Sequence, residues 1–94
     1  MSYKLKFLPS ALKEWKKLDA SIQIQFKKKL SERLEQPHNI ASQLKGFQNV
    51  YKIKLRSAGY RLVYDVNDSE IVVYVIAVGK RERGLVYTKI KERI

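Results

Sequence analysis

The sequence predicts an α+β fold in the order β-α-α-β-β-β-α, with an antiparallel sheet and a helical hairpin packed on one face. Three observations predict it. One short alternating run near the N-terminus precedes two stretches whose apolar residues recur every three or four positions. Between Tyr51 and Val78, three β-like runs are separated only by short turn clusters, the spacing of a meander. The last of these runs, Ile71 to Val78, is nearly all apolar and β-branched, as in a central strand buried on both faces.

The elements follow in order. Tyr3, Leu5 and Phe7 alternate with Lys4, Lys6 and Leu8, which makes a first strand. Pro9 suits a helix start, and Ser10 is the expected N-cap. Ala11, Leu12, Trp15 and Leu18 follow at helical spacing, with Lys13, Lys16 and Lys17 between them. Asp19, Ala20 and Ser21 restart a second helix. Its stripe is Ile22, Phe26, Leu30 and Leu34, with Lys27, Lys28 and Lys29 off it. Pro37 ends the helix. The two helices read as an antiparallel hairpin that needs a sheet face to cover.

Pro37 to Gln48 is a loop containing Gly46. Tyr51, Ile53 and Leu55 then alternate with Lys52, Lys54 and Arg56, giving a strand with one apolar and one fully cationic face. Ser57-Ala58-Gly59 is turn chemistry, Tyr60 to Val66 the next strand, and Asn67-Asp68-Ser69 the next turn. The segment Gly79 to Gly84 breaks the run after Val78. Val86, Ile90 and Ile94 are four apart and predict a short C-terminal helix over 84–94, weakly docked and displaceable by a partner. The whole of 1–94 reads as a single domain.

Composition excludes several chemistries. The chain of 94 residues has no Cys and one His, which leaves no disulfide framework, no thiolate metal site and no multi-His cluster. Neither metal nor cofactor is expected. The net charge of +11 divides into +6 over residues 1–49 and +5 over 50–94, so it belongs to folded elements and not to a tail. Self-repulsion of that size destabilises a compact state and points to an anionic partner. Nucleic acid comes first, an acidic protein second, a membrane surface last. No apolar run approaches the ~20 residues of a span. The N-terminal segment has no secretory apolar core, so the expected location is the cytoplasm.

Lys52 and Lys54, two apart on one strand, leave the same face about 7 Å apart. Arg61 lies just past the following turn, and Arg81 and Arg83 follow the end of the neighbouring strand. A meander can bring these cations to one end of one face. A solvated face, blunted by Lys against edge pairing, is one reading. A phosphate site is the other, since Arg offers a planar fork to phosphate oxygens and Lys a mobile point charge. Tyr51, Tyr60 and Tyr87 could stack on bases, although tyrosines inside strands more often serve the core, which leaves Tyr87. RNA can be cut by its own 2′-OH if a base takes that proton. His38 sits in the Pro37 loop, away from the cationic strands. Asp65 shares the Arg61 face but lies nearer the far turn. A catalytic centre here would therefore run on Lys. A free Lys titrates near 10.4, leaving about 0.04% neutral at pH 7, and clustered cations depress that value. Composition alone does not choose between cutting and binding.

The run Tyr51 to Tyr64, then Val78-Gly-Lys-Arg-Glu-Arg83 and Val86-Tyr87, closely resembles the RelE/ParE superfamily of bacterial toxins, in its RelE branch. The similarity extends to Ala11-Leu-Lys-Glu-Trp15 and Leu44-Lys-Gly46 and covers essentially the whole chain. The resemblance implies a RelE-like microbial RNase-type fold. It implies the toxin of a type II toxin–antitoxin system, a metal-independent endoribonuclease that cleaves mRNA in the ribosomal A site. Cleavage there proceeds by 2′-OH attack and leaves a 2′,3′-cyclic phosphate. The implied partners are a RelB-like antitoxin that wraps the toxin, the ribosome with its mRNA and rRNA, and DNA only through the antitoxin complex. Carried over by position, Lys52 and Lys54 match residues of proton transfer and charge stabilisation, Arg61 and Arg81 those that hold the scissile phosphate, and Tyr87 the tyrosine that stacks on a base. Contacts to RNA beyond the scissile site are expected from Lys13, Lys16, Lys17, Lys27, Lys28, Lys45, Arg56 and Arg83. Lys45 stands where a close member carries Arg. Sister toxins use His or Glu as base, and this chain has neither at those strands, which places it in the Lys-based branch. The competing readings are a non-catalytic ribosome- or RNA-binding translation inhibitor and a gyrase-inhibiting toxin of the same fold.

Overall fold

The structure is a computed structural model that describes residues 2–80 together with Ile90 and Arg93. Strand β1 (Lys4–Phe7) leads into helices α1 (Pro9–Lys16) and α2 (Ala20–Glu35) and a 3₁₀ turn at Ile40–Ser42. Strands β2 (Val50–Leu55), β3 (Tyr60–Asn67) and β4 (Val72–Lys80) follow. The sheet order is β1-β4-β3-β2.

The three later strands form the expected antiparallel meander. The sheet as a whole is mixed, which corrects the antiparallel expectation: β1 lies parallel to β4, with Lys4 opposite Val72 and Phe7 opposite Val75. The cause lies in β4. A strand this apolar needs a neighbour on both edges, β3 occupies one, and the long helical crossover after β1 allows a parallel partner on the other. Two boundaries also move. Leu8 is the N-cap residue of α1 and Pro9 its first helical residue, so Ser10 is inside the helix; the fixed φ of proline suits that first position. Ile71 has a positive φ of 57° in the turn, and β4 runs on through Gly79 and Lys80, which pair with Arg61 and Tyr60.

The main core lies between the helices and one sheet face. Trp15 tilts against Phe7 and Phe26, and Ile22, Phe26 and Leu30 of the α2 stripe meet Tyr51, Ile53, Leu62 and Tyr64. A bulge then shifts the phase of β4. Val63 pairs with Ala77 but Tyr64 with Val75, so Ile76 is the extra residue. Ile76 and Ala77 therefore join Val50, Val63 and Ile90 in a second cluster on the opposite face, with Leu44 and Phe47 packed against it. That face is part apolar, which fits the expected burial of the last strand on both faces, and part cationic. Ile90 and Arg93 are helical, Ile90 is fully buried, and the rest of the expected 84–94 helix lies outside the described residues.

Candidate active site

Alternation along β2 turns Tyr51, Ile53 and Leu55 into the core and leaves Lys52 and Lys54 half-buried on the other face. The turn to β3 returns the chain in register, so Lys54 stands directly opposite Arg61 and Lys52 opposite Val63. Side chains directly opposite on antiparallel strands start about 4.5–5.5 Å apart. Three cations thus share one patch of sheet, and its electrostatic effect falls on Lys54. The Lys52 ammonium beside it, then Arg61, pull its pKa below the ordinary lysine value, with partial burial and Arg56 adding to the shift. A lysine so placed holds more of the neutral amine that proton abstraction needs.

An open cleft lies on this face. Lys52 and Arg61 form its cationic side, and Leu44, Phe47 and Ile90 an apolar side, with Lys45 and the exposed Ile40 also lining it. A second groove borders the outer side of β2, where Lys29 and Arg33 of α2 meet Lys52, Lys54 and Arg56. Arg33 fixes this corner. Its Nη1 donates to the Lys52 carbonyl at 3.3 Å and to the Tyr64 hydroxyl at 3.0 Å. Its Nη2 donates to Ser42 Oγ at 3.0 Å.

Other candidate residues fall elsewhere. Lys13, Lys16, Lys17, Lys27 and Lys28 are exposed on the helical layer, across the sheet from the Lys52–Lys54–Arg61 patch. Tyr51 is in the core, stacked on Tyr64 with centroids 5.5 Å apart, and Tyr60 is partly buried against the same core. His38 is exposed and pairs with Asp68, 2.9 Å from Oδ1, away from the patch. Asp65 shares the patch's face, but it lines a depression with Asn49, Asn67 and Asp68 at the other end of the strands, and burial raises its carboxyl pKa. Arg81, Arg83 and Tyr87 lie outside the described residues. Among the described residues, no group of three or more His, Cys, Asp or Glu side chains is placed to hold a metal ion.

Residues 5–85 match the family model of the ParE toxin of the type II toxin–antitoxin system, parDE. The chain belongs to this toxin family. It is 55% identical over 94 residues to the mRNA interferase toxin RelE of Escherichia coli (strain K12), a match covering 100% of this chain and 99% of the relative. A solved structure of an E. coli toxin RelE double variant in the free state superposes with a TM-score of 0.93 at 53% identity, covering 100% of this chain and 99% of that one. The toxin chain in the crystal structure of the intact E. coli RelBE toxin–antitoxin complex gives 0.84 at 56% identity, covering 87% of this chain and 100% of that one.

Sequence reasoning missed three residues of this toxin's site region. Arg33 sits one position before Leu34 of the α2 stripe, which is the signal that its stem borders the core. Lys29 follows Lys27 and Lys28 in the sequence, yet it alone of the three lines the groove beside Lys54. Glu14 of α1, inside the Ala11–Trp15 motif, accepts a bond from the backbone N–H of Val78 at 3.2 Å.

Proposed function

We propose that this toxin is a ribosome-dependent endoribonuclease that cuts mRNA in the ribosomal A site and so arrests translation, without a metal ion. The observation that carries the reading is the patch of Lys52, Lys54 and Arg61, in which Lys54 is drawn toward its neutral form. The 55% identity to a toxin named mRNA interferase, over the full chain, supports it.

In this mechanism the neutral amine of Lys54 takes the proton of a ribose 2′-OH. The 2′ oxygen attacks the adjacent phosphorus, and the bond to the 5′ oxygen breaks. Arg61 and Lys52 face the charge that builds on the phosphorane oxygens, where fixed cations stabilise the transition state more than the ground state. Lys52 returns a proton to the leaving 5′ oxygen. The products are a 2′,3′-cyclic phosphate and a 5′ hydroxyl. Arg81 completes the grip on the phosphate, and Tyr87 stacks on a base. Lys45 and Arg56 flank the patch and meet neighbouring phosphates, together with Arg83. Lys13, Lys16, Lys17, Lys27 and Lys28 on the helical layer hold ribosomal RNA.

The toxin acts in the cytoplasm, where the ribosome-bound mRNA that it cuts is found, and residues 1–94 form one domain. Among the described residues no helix is long and apolar enough to cross a membrane. A RelB-like antitoxin holds it inactive, as relatives crystallised as RelBE complexes suggest, and DNA is met only through that complex.

Primer extension on mRNA from a purified translation reaction tests the reading. The expected result is a cut within the codon in the A site. Arrest without a cut would replace the enzyme with a binding inhibitor, and DNA damage with intact mRNA would replace it with a gyrase poison.

A further inference from the structure

An ion pair between helix α1 and Arg93 is bonded to the backbone of β4. Arg93 Nη1 lies 2.9 Å from Glu14 Oε1, and Nη2 lies 3.4 Å from Oε2. Both side chains are largely buried, at 20% and 18% exposure, so solvent screens the pair less than a surface bridge.

Its partners on the strand give it meaning. Arg93 Nη1 also donates to the Ile76 carbonyl at 2.9 Å. Glu14 Oε1 also accepts from the Val78 N–H at 3.2 Å. These are backbone groups of β4 at and just beyond its bulge. The ladder to β1 ends at Phe7 opposite Val75, so past that point Glu14 and Arg93 take over the role of a neighbouring strand. One carboxylate therefore fixes two points of the chain: the last stretch of β4, two residues before Lys80, and Arg93 near the C-terminus. Arg81 and Tyr87 fall between those points in the sequence.

We propose that Glu14 and Arg93 are positioning residues for cleavage, a two-sided anchor that sets both ends of the segment bearing Arg81 and Tyr87. The claim rests on the reading of this chain as an mRNA endonuclease. Neither residue touches substrate. Both act through the segment between them, where a misplacement of about 1 Å is enough to cost roughly 100-fold in rate.

Single-turnover cleavage of ribosome-bound mRNA by the full chain, with ribosome affinity measured in parallel, tests the anchor. Glu14→Ala loses its bonds to Val78 and Arg93 and is expected to slow cleavage by about 100-fold. Glu14→Gln keeps an acceptor for Val78 but loses the ion pair, and should fall between it and the parent. Arg93→Ala should match Glu14→Gln, and Arg93→Lys should recover most of the rate. Ribosome affinity should stay within about twofold throughout, the split that simple loss of folded protein does not give. Tyr3→Phe, which removes a side-chain bond to Asp68 in another part of the fold, should cut at the parent rate. If Glu14→Ala does not fold, Arg93→Ala carries the same expectation. Parent-like cutting by Glu14→Ala or Arg93→Ala, or equal losses in rate and affinity, would overturn the anchor. A parent chain that binds ribosomes and cuts nothing would instead remove the endonuclease reading, and the anchor with it.

Discussion

Lys54 and Arg61 stand directly across from each other on adjacent antiparallel strands, two cations at a cross-strand position where like charges destabilise a sheet. Lys52 adds a third on the same face. The arrangement costs the sheet through like-charge repulsion. It concentrates positive charge where a phosphate would sit and makes Lys54 a readier base than an isolated lysine.

The pH dependence of cleavage follows with a definite sign. The rate should rise with pH across the range in which Lys54 loses its proton, a range that lies below the ordinary lysine value. Lys52 is the largest cause of that depression, so Lys52→Ala should move the midpoint of the rise upward as well as lower the maximal rate. A pH–rate profile under single-turnover conditions reads both, and a midpoint that stays in place or moves down would exclude Lys54 as the base.

The same charges predict a stability effect. The folded state disfavours protonated Lys54, so the penalty is present below its folded pKa and disappears as pH rises toward the ordinary lysine value. Lys54→Met, which keeps length and removes charge, should therefore melt higher than the parent at pH 7. The gap should close near pH 10.5. Melting curves across that range check it, and a lower Tm at pH 7 would mean that the cations stabilise the strand.

Much of this was legible in the chain. The alternation of Tyr51, Ile53 and Leu55 with Lys52 and Lys54 separated core from site without any structure, because a strand's period of two leaves each residue only one face. The helix stripe Ile22, Phe26 and Leu30 was legible for the same kind of reason. The parallel pairing of β1 was not, since four residues carry no mark of the direction of their partner. The bulge at Ile76 hides in an all-apolar run, where either face accepts any residue. Arg33, Glu14 and Arg93 were hidden because each bonds backbone or side chains distant in sequence, and only the folded chain shows those groups.

Behind Lys52, Tyr64 is fully buried; its hydroxyl donates to the Pro37 carbonyl at 2.8 Å and accepts from Arg33. Tyr64→Phe leaves both groups short of a partner and should cost about 1–3 kcal/mol. Urea unfolding measures this, and a change below about 0.5 kcal/mol, within the range of ordinary surface substitutions, would mean that neither bond is needed.

The central claim is that Lys54, set among Lys52 and Arg61, takes the proton that starts mRNA cleavage. Primer extension on ribosome-bound mRNA with Lys54→Ala at saturating toxin tests it most directly. Loss of the general base should slow cleavage by about 10²- to 10⁴-fold, with occupancy of the A site retained. Cutting at the parent rate would contradict the account.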